Sequence, residues 1–282
     1  MSLRYAYNTN GCAHHRLPDA LDLIAAAGYD GVALTLDWHH LDPLAADWER
    51  RTVEVRSHLR SLGLDCVIET GARYLLRPGE KHEPTLINPD PAGRAVRVDF
   101  LRRAIDIAKM LEAETVSFWA GVKQSGLDDE LALTYLGDAV TKLAEYAIEQ
   151  GVDISLEPEP GMLIETNADY LSLLERYPVL KDKVKLALDL GHVWVTGEEE
   201  PAQAVHRFAD RLGTVSIEGM NRGVHHHLPL HEGDMPIAPL VDALRAVHFD
   251  RLVCVELSRE SPRAHLAIPQ SIAFLKNLER GA

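Results

Sequence analysis

The chain has 282 residues, 46% of them hydrophobic, and a formal net charge of −14. This length fits one (β/α)8 barrel, a fold of roughly 250 residues, with little left over. The acidity and the lack of basic runs count against a nucleic-acid substrate, because gripping a phosphodiester backbone relies on basic patches. No apolar run approaches the ~20 residues that a membrane span requires.

The first residues show no basic-then-apolar leader pattern and run straight into a strand-like stretch. Cys12, Cys66 and Cys254 lie far apart, are odd in number and form no CxxC motif. That usage implies a reduced, cytoplasmic chain without a disulfide framework.

In chain order, Arg4–Asn8 reads as a first strand, and Leu17–Ala27 carries apolar residues at helical spacing between Pro18 and Gly28. Gly31–Thr35 is a second strand, 49–62 a helix ended by Gly63, and Asp65–Glu69 a third strand. Residues 70–95 form a long loop rich in Pro, Gly and charge, read as an ordered substrate cover or as a floppy insertion. A helix over 97–111, a strand over 115–119 and a helix over 128–150 follow. The next strand ends at Glu157, and Asn167 is placed to cap a helix that runs to Arg176. The remaining units pair strands at 184–189, 212–218 and 251–257 with helices at 201–209, 237–246 and 269–278, and 219–236 reads as a polar loop. Eight strand–helix units in strict alternation imply parallel strands with right-handed crossovers. The fold class is therefore α/β, a single (β/α)8 TIM barrel over residues 1–282. No GxGxxG or Walker motif points to a nucleotide cofactor.

Function concentrates at the strand ends. Glu69, Glu157, Asp189, Glu218 and Glu256 all fall at C-terminal strand ends, where barrels of this kind carry their chemistry. Glu157 and Glu159 are each followed by proline, which stops the strand. Carboxylates this close repel one another and need shared protons or a cation. A divalent metal, Mn, Mg, Co or Zn, suits oxygen donors with one imidazole. Nine of the 14 histidines (His14, His15, His39, His40, His192, His225, His226, His227 and His231) fall in loops on that same face. Trp38, Trp119 and Trp194 flank it and can stack on a sugar ring, or they simply fill the core. Arg73, Arg77 and Lys81 either clamp a phosphate or solvate their loop.

Several stretches carry a family resemblance: Ala26 to Val32, Glu157-Pro158-Glu159-Pro160, Leu188-Asp189-Leu190-Gly191-His192, Asn221-Arg222, and His227 to Gly233. With these the chain resembles the xylose isomerase-like barrel superfamily of sugar isomerases and epimerases, which also includes apurinic endonucleases. The resemblance places metal ligands at Glu157, Asp189 and Glu256, a substrate-hydroxyl contact at His192 and a substrate contact at Arg222. One departure stands out. Strand seven of that family delivers a histidine ligand followed by an acid, and here the run reads Ser216-Ile217-Glu218-Gly219. His225 or His227 is then the candidate source of the missing imidazole, with a spacing similar to a metal-binding loop of the endonuclease branch.

The expected activity is metal-dependent isomerisation or epimerisation of a sugar, keto-sugar or polyol through an enediolate. Glu157 and Glu256 move the proton, and Glu159 and Trp119 join His192 and Arg222 against the substrate. The alternative is a barrel with an impaired metal site that binds a sugar-like ligand as a non-catalytic or regulatory subunit. An endonuclease-like phosphoesterase fits the charge poorly. The partners expected are a small sugar and, as one option, a second copy in a homodimer, with neither nucleic acid nor membrane.

Overall fold

The computed structural model describes residues 2–281. Eight parallel strands close into a barrel: β1 (Arg4–Asn8), β2 (Gly31–Thr35), β3 (Asp65–Glu69), β4 (Val116–Trp119), β5 (Ile154–Glu157), β6 (Val184–Asp189), β7 (Leu212–Ile217) and, after the hairpin strands β8 (Gly219–Asn221) and β9 (Val224–Leu228), β10 (Leu252–Val255). Every barrel strand pairs with its sequence neighbours, and β10 closes on β1 with Tyr5 opposite Val253. Around them lie α1 (Leu17–Ala27), α2 (Trp48–Leu62), α3 (Pro91–Leu111), α4 (Asp129–Gln150), α5 (Asn167–Arg176), α6 (Leu190–Thr196), α7 (Pro201–Phe208), α8 (Ile237–Ala246) and α9 (Ala264–Gly281).

Side chains alternate along each strand. Ala6, Ala33, Val67, Leu252 and Cys254 form a small, fully buried cluster of their own. The alternate residues, such as Tyr5, Tyr7, Val32, Leu34, Cys66 and Ile68, belong to the larger core with the helices. Each fully buried residue of this size contributes about 1.5–3 kcal/mol. All three cysteines are buried and free. Arginines pair with acids near the opposite ends of the strands: Arg4 with Asp65 and Glu114, and Arg251 with Asp153 at 2.6 Å. The acids at the C-terminal strand ends are left without those partners.

Four departures from the sequence expectation have a local reason. The helix expected from 97 starts at Pro91, because the Asp90 side chain accepts from the Ala92 N–H and Pro91 needs no donor partner in a first turn. Thr166, not Asn167, caps α5: its hydroxyl accepts from Asp169 N–H while the Asp169 carboxylate accepts from Thr166 N–H. The last helix starts at Ala264 and carries Pro269 inside it, without the hydrogen bond to the His265 carbonyl. The stretch 219–236, expected as loop, folds into the antiparallel β8–β9 hairpin, with Gly219 opposite Leu228 and Gly223 turning at φ 74°. Among the described residues no helix is long and apolar enough to cross a membrane.

Candidate functional site

A cavity of about 260 Å³ opens at the C-terminal ends of the strands. Glu157 enters it from the end of β5 and Glu256 from just past β10. Asp189 ends β6, and its carboxylate accepts the His192 N–H at 2.8 Å, so it also caps α6. That cap turns the first coil of α6 so that His192 faces the cavity, buried between Glu157 and Asp189 at 3.7 Å from each. The hairpin brings the remaining imidazoles. His225 and His227 are two apart on β9, so they share one face.

Two histidines are oriented alike. His192 Nδ1 lies 3.1 Å from the Pro158 carbonyl, and His227 Nδ1 lies 3.2 Å from the Glu256 carbonyl. A carbonyl only accepts, so both rings donate from Nδ1 and keep a lone pair on Nε2. His192 Nε2 is buried with no hydrogen-bond partner, and His227 Nε2 faces His225 Nε2 at 3.4 Å. Donation from one ring nitrogen to a carbonyl is the usual arrangement behind a metal-binding imidazole. Donor atoms of Asp189, His227 and Glu256 lie within 4.8 Å of one another, as do those of Glu157, Asp189 and His192, and those of His192, His225 and His227. This donor set fits a divalent cation. The position of the missing strand-seven histidine is taken by buried Ser216, in register with Asp189, and His227 of the hairpin stands close enough to Asp189 and Glu256 to replace it.

The buried acids of the site act on one another. Burial, then Glu69, Glu159, Glu256 and Asp189, push Glu157 well above the usual carboxylate range. Burial and Glu256 likewise raise Glu69 well above it, and raise Glu159 to about 8. Burial would raise Asp189 too, but His192, His227 and the His192 N–H outweigh it and hold Asp189 below its ordinary value. Burial lowers His192 to about 4, so the ring is neutral at pH 7 and available as a ligand. Glu218 is fully buried beside Asp189 and does not line the cavity; burial and the Asp189 charge push it well above the usual carboxylate range. Gly191 leaves room for it, since a Cβ there would stand 1.9 Å from Glu218 Oε1. Gly219, where the family places an acid, has no space for one: a Cβ would meet the Pro229 carbonyl oxygen at 2.2 Å.

Of the residues singled out in the sequence, Glu157, Glu159, Trp119, His192, His225, His227 and Glu256 meet at the cavity, with Glu69, Arg73 and Lys81. Arg222 does not line it. Its guanidinium lies 3.6 Å over the Trp194 ring and bonds Glu200 at 2.9 Å, in the hairpin turn. Trp38 is 71% exposed, and Trp194 donates to Asp234. His40 lies against the His15 carbonyl and the His39 ring, outside the cavity. Sequence reasoning missed Asn10, which donates to Glu256 Oε1 at 2.8 Å, and His82, which stacks on Trp119. It also missed Arg97, whose buried guanidinium donates to the carbonyls of Pro84, Thr70 and His82 and lies 4.5 Å over Trp119. Arg97 therefore fixes residues 70–90 as an ordered cover. Its only sequence signal was a cation on an otherwise apolar helix face.

Residues 21–278 match the family described as xylose isomerase-like TIM barrel. The chain belongs to this family. Among solved structures it is similar to D-allulose 3-epimerase from Methylomonas sp. in complex with D-allulose, at 21% identity and a TM-score of 0.76, covering 98% of this chain and 96% of that one. It is similar to 3-keto-D-glucoside 4-epimerase, YcjR, from E. coli, at 17% identity and a TM-score of 0.75, covering 98% and 100%. It is also similar to the IOLI protein with a bound zinc atom, at 16% identity and a TM-score of 0.74, covering 98% of each chain. No curated protein sequence matches the chain. At these identities the likeness is one of fold.

Proposed function

We propose that this protein is a sugar isomerase or epimerase that moves a carbon-bound proton between two glutamates, with a divalent cation held by Glu157, Asp189, Glu256 and His227. The observation that carries this reading is the pair Glu157 and Glu256, entering one polar cavity from β5 and from the far side of β7, with candidate metal donors between them. The family membership and the likeness to two sugar epimerases support a sugar as the ligand.

When bound, the cation polarises a substrate carbonyl and offsets the charge that develops as the proton leaves. The protein's own groups do the rest. One glutamate takes the proton from carbon and the other returns it, on the opposite face or the adjacent carbon. Asn10 holds Glu256 Oε1, and Ser117 donates to Glu157 Oε2 at 3.3 Å, so both carboxylates are aimed before substrate arrives. Trp119 lines the cavity with His82 stacked on it, and the 70–90 cover borders the same space. Glu159, with its pKa near 8, can hold or release a proton at neutral pH.

The test is exchange of carbon-bound hydrogen for deuterium, by NMR in D2O, across a panel of ketoses with Mn, Co, Mg or Zn added. Glu157→Gln and Glu256→Gln are each expected to slow exchange by about 10²–10⁴-fold. Near-normal exchange in either variant sinks the assignment. A sugar-binding barrel without catalysis is the second reading, favoured by Ser216; a ligand that binds without exchange in the metal-loaded wild type selects it.

A further inference from the structure

The cavity has two electrostatic halves. Its floor is carboxylate, with Glu157 buried and Asp189 behind it. Its rim carries Arg73 and Lys81 from the cover after β3, and Arg259 from the loop after β10. Among the described residues, none of these three cations forms a salt bridge or donates a side-chain hydrogen bond, whereas Arg77 on the same cover is paired with Glu80 at 2.9 Å. Free cations are unexpected in a chain with 43 acids against 29 bases. Lys81 and Arg73 also share a neighbour: both bear on His82, adding to the effect of burial in lowering its pKa.

We propose that the substrate is a phosphorylated sugar, its phosphate monoester held at the rim by Arg73, Lys81 and Arg259 while the reacting carbons lie against the floor carboxylates. This assignment rests on the sugar reading above and narrows it. A phosphate monoester brings a charge of about −1.5 to −2 and three acceptor oxygens, which three cations match. A carboxylate brings one charge and two oxygens, and a neutral sugar brings no charge to the three cations. The arrangement also orients the ligand. The buried acids repel an anion from the floor, so the phosphate stays at the solvent-facing rim and only one end of the sugar reaches Glu157 and Glu256. The Ser258 hydroxyl, beside Arg259 on the same rim, adds a neutral donor.

Binding, rather than turnover, tests this. Titration calorimetry at low salt on the full chain would compare five- and six-carbon ketoses, their terminal phosphate esters and the matching aldonates. The best phosphate ester should bind about tenfold or more tighter than its parent ketose, and the gain should shrink with added salt. Arg73→Gln/Lys81→Gln/Arg259→Gln, with unchanged melting temperature and metal content, should bring ester and parent to within about twofold of each other. If that triple variant does not fold, Lys81→Gln alone, on an exposed side chain, should still cut the preference by about threefold. Glu157→Gln should keep the preference. A parent ketose that binds as tightly as its ester, an aldonate that outbinds the ester, or a preference untouched by the cation variants overturns the assignment. Loss of proton exchange alongside an intact phosphate preference sinks the catalytic reading alone.

Discussion

His227 reaches from the hairpin to the loop after β10: its Nδ1 lies 3.2 Å from the carbonyl oxygen of Glu256. One contact thus ties the imidazole proposed above as a metal ligand to the main chain of a neighbouring candidate ligand. The carbonyl fixes the tautomer, and Nε2 is left for a cation. His227→Ala should lower metal affinity by at least about 10–100-fold, read by elemental analysis and titration with Mn or Zn. Ser216→His in the His227→Ala background should recover part of it, because Ser216 is in register with Asp189. Full metal binding by His227→Ala would show that His225 or His192 carries the site.

Glu218 offers a separate check on the same cluster. Its pKa is raised well above the ordinary 4.5 by burial and by Asp189. The folded state therefore binds a proton that the unfolded state releases. Stability from this group is full below about pH 4.5 and is lost as pH rises toward the folded value. Glu218→Gln keeps the shape and removes the titration. Metal-free Glu218→Gln should melt above wild type at pH 9, with the gap closing at pH 5. Parallel melting curves across that range would mean that Glu218 is already ionised in the fold.

Much of this architecture was legible because the barrel strands are short apolar runs between glycines and prolines. The ranges of β1, β2, β3 and β6 follow from those runs without adjustment. The strand-end acids were legible for the same reason, since a carboxylate that ends a buried strand has nowhere to go but the barrel mouth. The hairpin was not. Its strand β9 reads Val224-His225-His226-His227-Leu228, with His226 interrupting the apolar face and His225 and His227 on the other, so no clear apolar alternation announces it. Arg222 followed a motif, yet its guanidinium finds Trp194 and Glu200, and neither partner is visible from local sequence. The Nδ1–carbonyl contacts that ready His192 and His227 are purely three-dimensional.

Arg97 should matter more to stability than a distant surface arginine. It is buried, with no carboxylate partner, and donates to carbonyls at 2.9, 3.3 and 2.7 Å across the 70–90 cover. Arg97→Met leaves three acceptors without donors and loosens Trp119. The cost should be about 2–4 kcal/mol in urea unfolding. Arg97→Lys should recover little, because an ammonium cannot reproduce the planar fork that spans the three carbonyls. A loss below about 0.5 kcal/mol for Arg97→Met would mean that the cover is held from elsewhere.

The cover should also respond to acid through His82. Burial, with Lys81, Arg97 and Arg73 adding to it, lowers the His82 pKa to about 4. The ring is therefore neutral at pH 7 where it stacks on Trp119, at 5.2 Å between centroids. An unfolded histidine titrates near 6.5, so the unfolded state takes up the proton first as pH falls. The stabilisation from this ring is present above about pH 6.5 and is lost as pH falls toward 4. Hydrogen exchange read by mass spectrometry should show residues 70–90 opening faster at pH 5 than at pH 7, relative to the barrel strands. His82→Phe keeps a flat ring against Trp119 without a proton to gain, so its cover should exchange at the same relative rate at both pH values. Equal acid sensitivity in wild type and His82→Phe would move the effect to His40 or His192, whose burial lowers them to about 4 as well.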